Sequence, residues 1–263
     1  MNNTRPIVVF DSGVGGISVL REMVRLMPNE NFLFFGDSAN APYGTRTLEE
    51  VRELTIGHIS RMVDGGAKAV CIACNTATSA AVDQLRAMYD DIPIIGIEPA
   101  VKPAALSGGH PNVVVMATPM TLREQKFQKL MVRFQADADI YSLPCPELVK
   151  YVEHGELTGD GVEGYLRGRF DSLNGVRIDC VVLGCTHFPF LSDTIRKVLG
   201  DGVRLYDGGE GTARQMRRRL AECGLGADAD NHGSVKIINS LGSPEIMALS
   251  RRLLEMPEQG RLP

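Results

Sequence analysis

The chain has 263 residues, 44% hydrophobic and 23% charged, values that exclude a disordered or fibrous protein and leave room for two modest α/β domains or one large one. A net charge of −4 argues against a dedicated nucleic-acid binder, and six cysteines are too sparse for a disulfide scaffold and suit a reducing compartment. The opening MNNTRPIVVFDSG has no apolar signal core, and no run approaches the roughly 18–20 apolar residues of a membrane span, so a cytoplasmic protein without membrane contact is expected. In chain order, residues 7–10 read as a strand that stops at Asp11, Ser12 and Gly13. Residues 16–27 place Ile17, Leu20, Met23, Val24 and Met27 at helical spacing. A strand follows at 31–35, and Thr47 with Glu50 forms a capping box that opens a helix to about Asp64. Residues 69–73 read as a strand, 77–89 as a helix and 92–97 as a buried strand. The pattern restarts with a strand at 113–117, a second capping box from Thr121 to Glu124, a short helix after Pro146 and a strand at 179–184. Ser243 before Pro244 opens a last helix. Strands separated by helices of this length imply parallel sheets with right-handed crossovers.

A repeat organises these elements. Val8–Gly13 resembles Val114–Pro119, each an apolar strand running into a small polar turn. Asp11 precedes Cys74 by 63 residues and Thr118 precedes Cys185 by 67, and both cysteines end strands. Matching order and spacing point to a duplicated α/β unit. Ligands of open α/β sheets bind beyond the carboxyl ends of the strands, so facing halves would aim both cysteines into one cleft.

Cys74 and Cys185 are therefore the leading candidates. Both precede hydroxyl- or amide-bearing residues able to start a helix, whose positive end favours thiolate. A thiolate and a thiol could remove a proton from one face of a carbon and return one to the other. A single buried cysteine is more often plain core; the matched positions move the balance to function. Cys71, Cys145, Cys180 and Cys223 lack the polar context and read as plain core. Cys71 and Cys74 form a CxxC, which invites a redox or zinc reading. Against it, a spacing of three along a strand sends side chains to opposite faces, and no second CxxC or His pair completes a zinc site. The turn from Asp11 to Gly16 is not a dinucleotide fingerprint, but its amides suit an anion such as a carboxylate. Asp11 and Asp37 end apolar strands, where each either tunes a thiol or caps a turn. Glu153 and His154 read as a solvated helix face by default, His187 as a group able to protonate within the site or a packed ring, and Tyr43 as a lid residue or a packing aromatic.

At these residues the chain resembles the cofactor-independent glutamate racemases. The matching segments are Phe10–Gly16, Ala41–Gly44, Ala73–Ala77, Leu183–Pro189 and Asp207 with two following glycines, in family order across nearly the whole chain. The resemblance implies two pseudo-symmetric parallel-sheet α/β domains with the active site in the cleft between them: residues 1–97, residues 98–208, and a segment 209–263 returning to the first. It implies a two-base racemase without cofactor or metal, in which Cys74 takes the α-proton of D-glutamate and Cys185 that of L-glutamate. Asp11 matches the carboxylate assisting the first thiol; Glu153 and His187 match groups flanking the second. Asp11, Ser12, Tyr43, Gly44, Asn75, Thr76, Thr118, Thr121, Thr186 and His187 match substrate-contacting positions. The implied role is supply of D-glutamate for peptidoglycan, by a homodimer. Phe188 and Gly208 stand where many members carry tyrosine and serine. Related aspartate racemases tend to have glutamate where His187 stands, so His187 favours glutamate. The competing readings are an aspartate or related racemase of the same fold, a CxxC redox or zinc protein, and an amino-acid capture module without turnover.

Overall fold

The computed structural model describes residues 3–257. Two compact units divide the described residues: one runs up to Glu98 and takes in Gly209–Glu255, and the other holds Pro99–Gly208. In the first, β1 (Ile7–Asp11), α1 (Ile17–Leu26), β2 (Asn31–Gly36), α2 (Leu48–Asp64), β3 (Ala69–Ile72), α3 (Asn75–Met88) and β4 (Ile94–Gly96) alternate regularly. The second holds α4 (Val101–Ala105), β5 (Asn112–Ala117), α5 (Pro119–Arg123), α6 (Gln125–Arg133), β6 (Asp139–Pro144), α7 (Glu147–Glu153), α8 (Asp160–Asp171), β7 (Cys180–Leu183), α9 (Ser192–Leu199) and β8 (Arg204–Asp207). The chain then gives α10 (Gly209–Glu222), β9 (Ser234–Asn239) and α11 (Pro244–Glu255) to the first unit. No helix of the described residues is long and apolar enough to cross a membrane.

Both sheets are wholly parallel, ordered β4-β3-β1-β2-β9 and β6-β5-β7-β8. Read from the other edge, the second is β8-β7-β5-β6, the same winding as the first without β9. The central strands are fully covered: Ile7, Val8, Val9 and Phe10 in β1, and Val113, Val114, Val115 and Met116 in β5, are inaccessible to solvent. Helices on both faces of a parallel sheet demand such continuous apolar strands.

The register fixes which positions correspond. Phe10 lies beside Ile72 and Met116 beside Leu183. The Ala73 amide donates to the Phe10 carbonyl at 2.8 Å, and the Gly184 amide to the Met116 carbonyl at 2.8 Å. One residue on, Cys74 and Cys185 occupy equivalent places. Ser12 corresponds to Thr118, so the repeat aligns Asp11 with Ala117 rather than with Thr118. Asp37 corresponds to Cys145: their amides donate to the carbonyls of Asp11 and Ala117 at 2.9 and 3.0 Å.

The capping box at Thr47 is present, with the Thr47 and Glu50 side chains each accepting from the other's amide. Ser243 caps α11 as expected, through the Ile246 amide at 3.3 Å. The second expected box, from Thr121 to Glu124, is absent. Thr118 caps α5 instead, with its hydroxyl accepting the Thr121 amide at 3.2 Å. Pro119 needs no amide partner and starts that helix one turn early. Glu124 is extended between α5 and α6 and offers no side-chain cap.

Candidate active site

In the first unit Cys74 ends the loop after β3 and is the N-cap of α3. Its Sγ accepts the Ala77 amide at 3.4 Å and lies 3.4 Å from Ser12 Oγ. A sulfur at the positive end of a fourteen-residue helix has its thiolate favoured by the dipole and the amide. Asp11, the last residue of β1, is fully buried and accepts the Gly13 amide at 2.9 Å. Gly16 leaves room for it: a Cβ there would stand 2.5 Å from Asp11 Cβ. Asn75 and Thr76 are the first residues of α3, both buried, and Asn75 Oδ1 accepts no hydrogen bond among the described residues.

The loop after β2 carries Tyr43 and Gly44 in a single 3-10 turn. Tyr43 is buried, and its hydroxyl donates to Asp37 Oδ2 at 2.7 Å. Burial first, then Asp37, then the charges of Cys74 and Asp11, raise the Tyr43 pKa far above that of an ordinary phenol, so it is a neutral donor.

In the second unit Cys185 follows β7 across Gly184, where a Cβ would press to 2.8 Å from the Met116 carbonyl. The expected helix start at Cys185 does not form; a 3-10 turn, Phe188–Leu191, follows instead. Cys185 Sγ lies 3.6 Å from His187 Nδ1, and His187 Nε2 lies 2.7 Å from Glu153 Oε1. Burial disfavours the charged imidazole, but the bonds to Cys185 and Glu153 outweigh it and hold the His187 pKa well above its ordinary value. The imidazolium thus stands between a thiol and a carboxylate. Glu153 ends α7, so a residue expected on a solvated helix face instead faces the buried ring. Thr186 is buried beside them, and Thr118 and Thr121 pair through their hydroxyls at 3.0 Å.

The other thiols sit differently. Burial, then the Asp11 charge, push the Cys71 pKa far up. Burial pushes Cys145 up to about 12, with Arg169 offsetting only part of it. Both stay protonated near neutral pH. Among the described residues no group of three or more His, Cys, Asp or Glu side chains is arranged to hold a metal ion.

The family model for Asp/Glu/hydantoin racemases matches residues 7–216. The glutamate racemase of Clostridium botulinum strain Alaska E43 is 51% identical over 95% of this chain and 97% of its own. Glutamate racemase from Francisella tularensis, solved in complex with D-glutamate, superposes with a TM-score of 0.83 at 27% identity, covering 98% of this chain and 96% of that one. The Escherichia coli glutamate racemase, solved with L-glutamate and the activator UDP-MurNAc-ala, gives 0.84 at 30% identity over 95% of both chains. With both strand-end thiols in place and similarity of this extent, the chain belongs to the Asp/Glu/hydantoin racemase family, among its glutamate racemases.

Proposed function

We propose that the chain interconverts L- and D-glutamate by a two-base mechanism in which Cys74 and Cys185 each serve one enantiomer. The observation that carries this reading is the occurrence of two buried thiols at equivalent strand ends, each beside a group that favours its ionised form. From D-glutamate, the Cys74 thiolate takes the α-proton, the electron pair stays on Cα, and the Cys185 thiol returns a proton to the opposite face. From L-glutamate the roles exchange. Asp11 assists the first thiol; His187, backed by Glu153, assists the second.

The substrate already carries two carboxylates, and deprotonation adds charge at Cα. Oriented amides and hydroxyls then have to hold that charge, an effect worth several kcal/mol for preorganised donors. Ser12, Asn75, Thr76, Thr118, Thr121 and Thr186 supply buried polar side chains of this kind. Asn75 Oδ1, which accepts nothing from the described residues, suits the substrate ammonium. The 3-10 turn carrying Tyr43 and Gly44 is the proposed seat of the distal carboxylate. The chain then acts in the cytoplasm, as a homodimer, and supplies D-glutamate for peptidoglycan.

Purified protein without added cofactor should racemise both glutamate enantiomers and wash solvent deuterium into Cα. Cys74→Ala and Cys185→Ala should each abolish net racemisation. Dependence on added metal or pyridoxal phosphate would overturn the mechanism, and faster turnover of aspartate would overturn the substrate.

A further inference from the structure

Asp37 has no place among the groups that touch substrate, yet it is among the most elaborately served carboxylates of the first unit. It is fully buried, one residue beyond β2. Its Oδ2 accepts from the Tyr43 hydroxyl at 2.7 Å and lies 3.1 Å from His58 Nε2; both oxygens accept from Asn40 Nδ2 at 3.1 Å. Burial opposes its charge, but His58, Tyr43, Ser240 and Asn40 together outweigh burial and hold it well below the usual carboxylate range.

The roles at His58 are settled by its neighbours. Arg61 places a guanidinium nitrogen 3.2 Å from His58 Nδ1. A guanidinium only donates, so Nδ1 is the acceptor and the ring N–H sits on Nε2, aimed at Asp37. The ring is wedged against Phe35, 4.8 Å between centroids, and stacks on Phe10 at 6.0 Å. Donors thus run from Arg61 through His58 to Asp37, and from Tyr43 and Asn40 to the same carboxylate. Residues 38–46 fold around that charge: Asn40 also gives its carbonyl to Arg46 Nε at 2.7 Å.

We infer that His58 and Asp37 are positioning residues for the loop carrying Tyr43 and Gly44, and that through it they set affinity for the distal carboxylate of the substrate. The inference rests on the proposed racemase reading. Neither residue meets the reacting carbon. Their work is to hold the loop that carries the proposed distal-carboxylate seat. Distal-carboxylate binding is the same in ground and transition states, so its loss raises KM and leaves kcat nearly unchanged.

The experiment compares His58→Leu, which deletes the donor, with His58→Gln, whose amide nitrogen can replace Nε2. With L- and D-glutamate, His58→Leu should raise KM about 10- to 100-fold, the size of one charge-assisted bond, while kcat changes by less than about twofold. His58→Gln should recover most of that affinity. Should His58→Leu not fold, Tyr43→Phe removes the opposite donor to the same carboxylate and carries the same KM-weighted expectation. A His58→Leu protein with unchanged KM, a fall confined to kcat, or a glutamine variant as impaired as leucine would overturn the inference. Failure of the racemase reading shows separately, as absence of racemisation in the unaltered chain.

Discussion

Replacing Glu153 with glutamine removes one charge from the second thiol's surroundings and keeps the size of the side chain. The carboxylate lies 2.7 Å from His187 Nε2, and the imidazole side chain is 3% exposed, so solvent screens the pair little. A charge-assisted hydrogen bond of this kind contributes about 1.5–3 kcal/mol. The His187 pKa, held up in part by this carboxylate, should therefore fall. Cys185 then loses its imidazolium partner, and the same 1.5–3 kcal/mol corresponds to a drop in kcat/KM of about 10- to 100-fold. The enantiomers have equal free energy in water, so the drop must be the same factor with either substrate. Asymmetry appears instead in isotope effects: α-deuterated L-glutamate, whose proton Cys185 removes, should show the larger slowing. The sign for pH follows from the raised His187 pKa. Stability from the charged ring is present below about pH 6.5 and is lost as pH rises through the raised folded value. In the variant that loss is complete at a lower pH, and the alkaline limb of activity moves down with it. Circular dichroism on both enantiomers across pH, with deuterated substrate, reads all of this. An unchanged kcat/KM, or a fall with unmoved pH limb and symmetric isotope effects, refutes the relay.

Cys71→Ala should keep most of the racemase activity while Cys74→Ala loses it, because burial keeps the Cys71 thiol protonated; its stability cost should be about 1–2 kcal/mol, ordinary for a core truncation. Equal damage from the two variants would instead support a Cys71–Cys74 dithiol. Lys68 is fully buried, 2.6 Å from Glu30 Oε2 and 2.7 Å from the Asn3 carbonyl. Lys68→Met leaves Glu30 as an uncompensated buried charge, at about 3–5 kcal/mol, and should lower Tm on the order of 10 °C. Activity of the folded fraction at 25 °C should be unchanged, and an unmoved Tm refutes the assignment.

The parts legible in the sequence are those buried on both sides. β1, β3, β5 and β7 are short, continuous apolar runs with no exposed position, and their order and the cysteines at their ends can be read directly. The edge strands are another matter. β6 and β9 mix polar with apolar residues at largely exposed or half-exposed positions, and β9 joins the sheet at β2, about 200 positions away in the chain. Such a strand is defined by its partner, not by its composition. The same limit applies at the site. Cys185 and His187 are two residues apart and visible together. Glu153, 34 positions earlier, meets His187 only because α7 ends there, and no local spacing announces it. His58 and Asp37 likewise meet across 21 positions through the packing of α2 on β1 and β2.

The two thiols occupy equivalent places yet differ in what favours their ionised forms, and one residue explains the difference. At Cys74 the amide four residues on, Thr78, takes the Cys74 carbonyl at 2.9 Å, which leaves the Ala77 amide for the sulfur. Four residues after Cys185 stands Pro189, which has no N–H. The Phe188 amide must therefore serve the Cys185 carbonyl, at 3.0 Å, and is not available to Sγ. The backbone donor lost to the proline is replaced by a side chain, His187, which in turn needs Glu153 to stay charged when buried. A helix dipole does not titrate, whereas an imidazolium does. The pH dependence that belongs to the local support of the thiols should thus arise in the second unit, at His187.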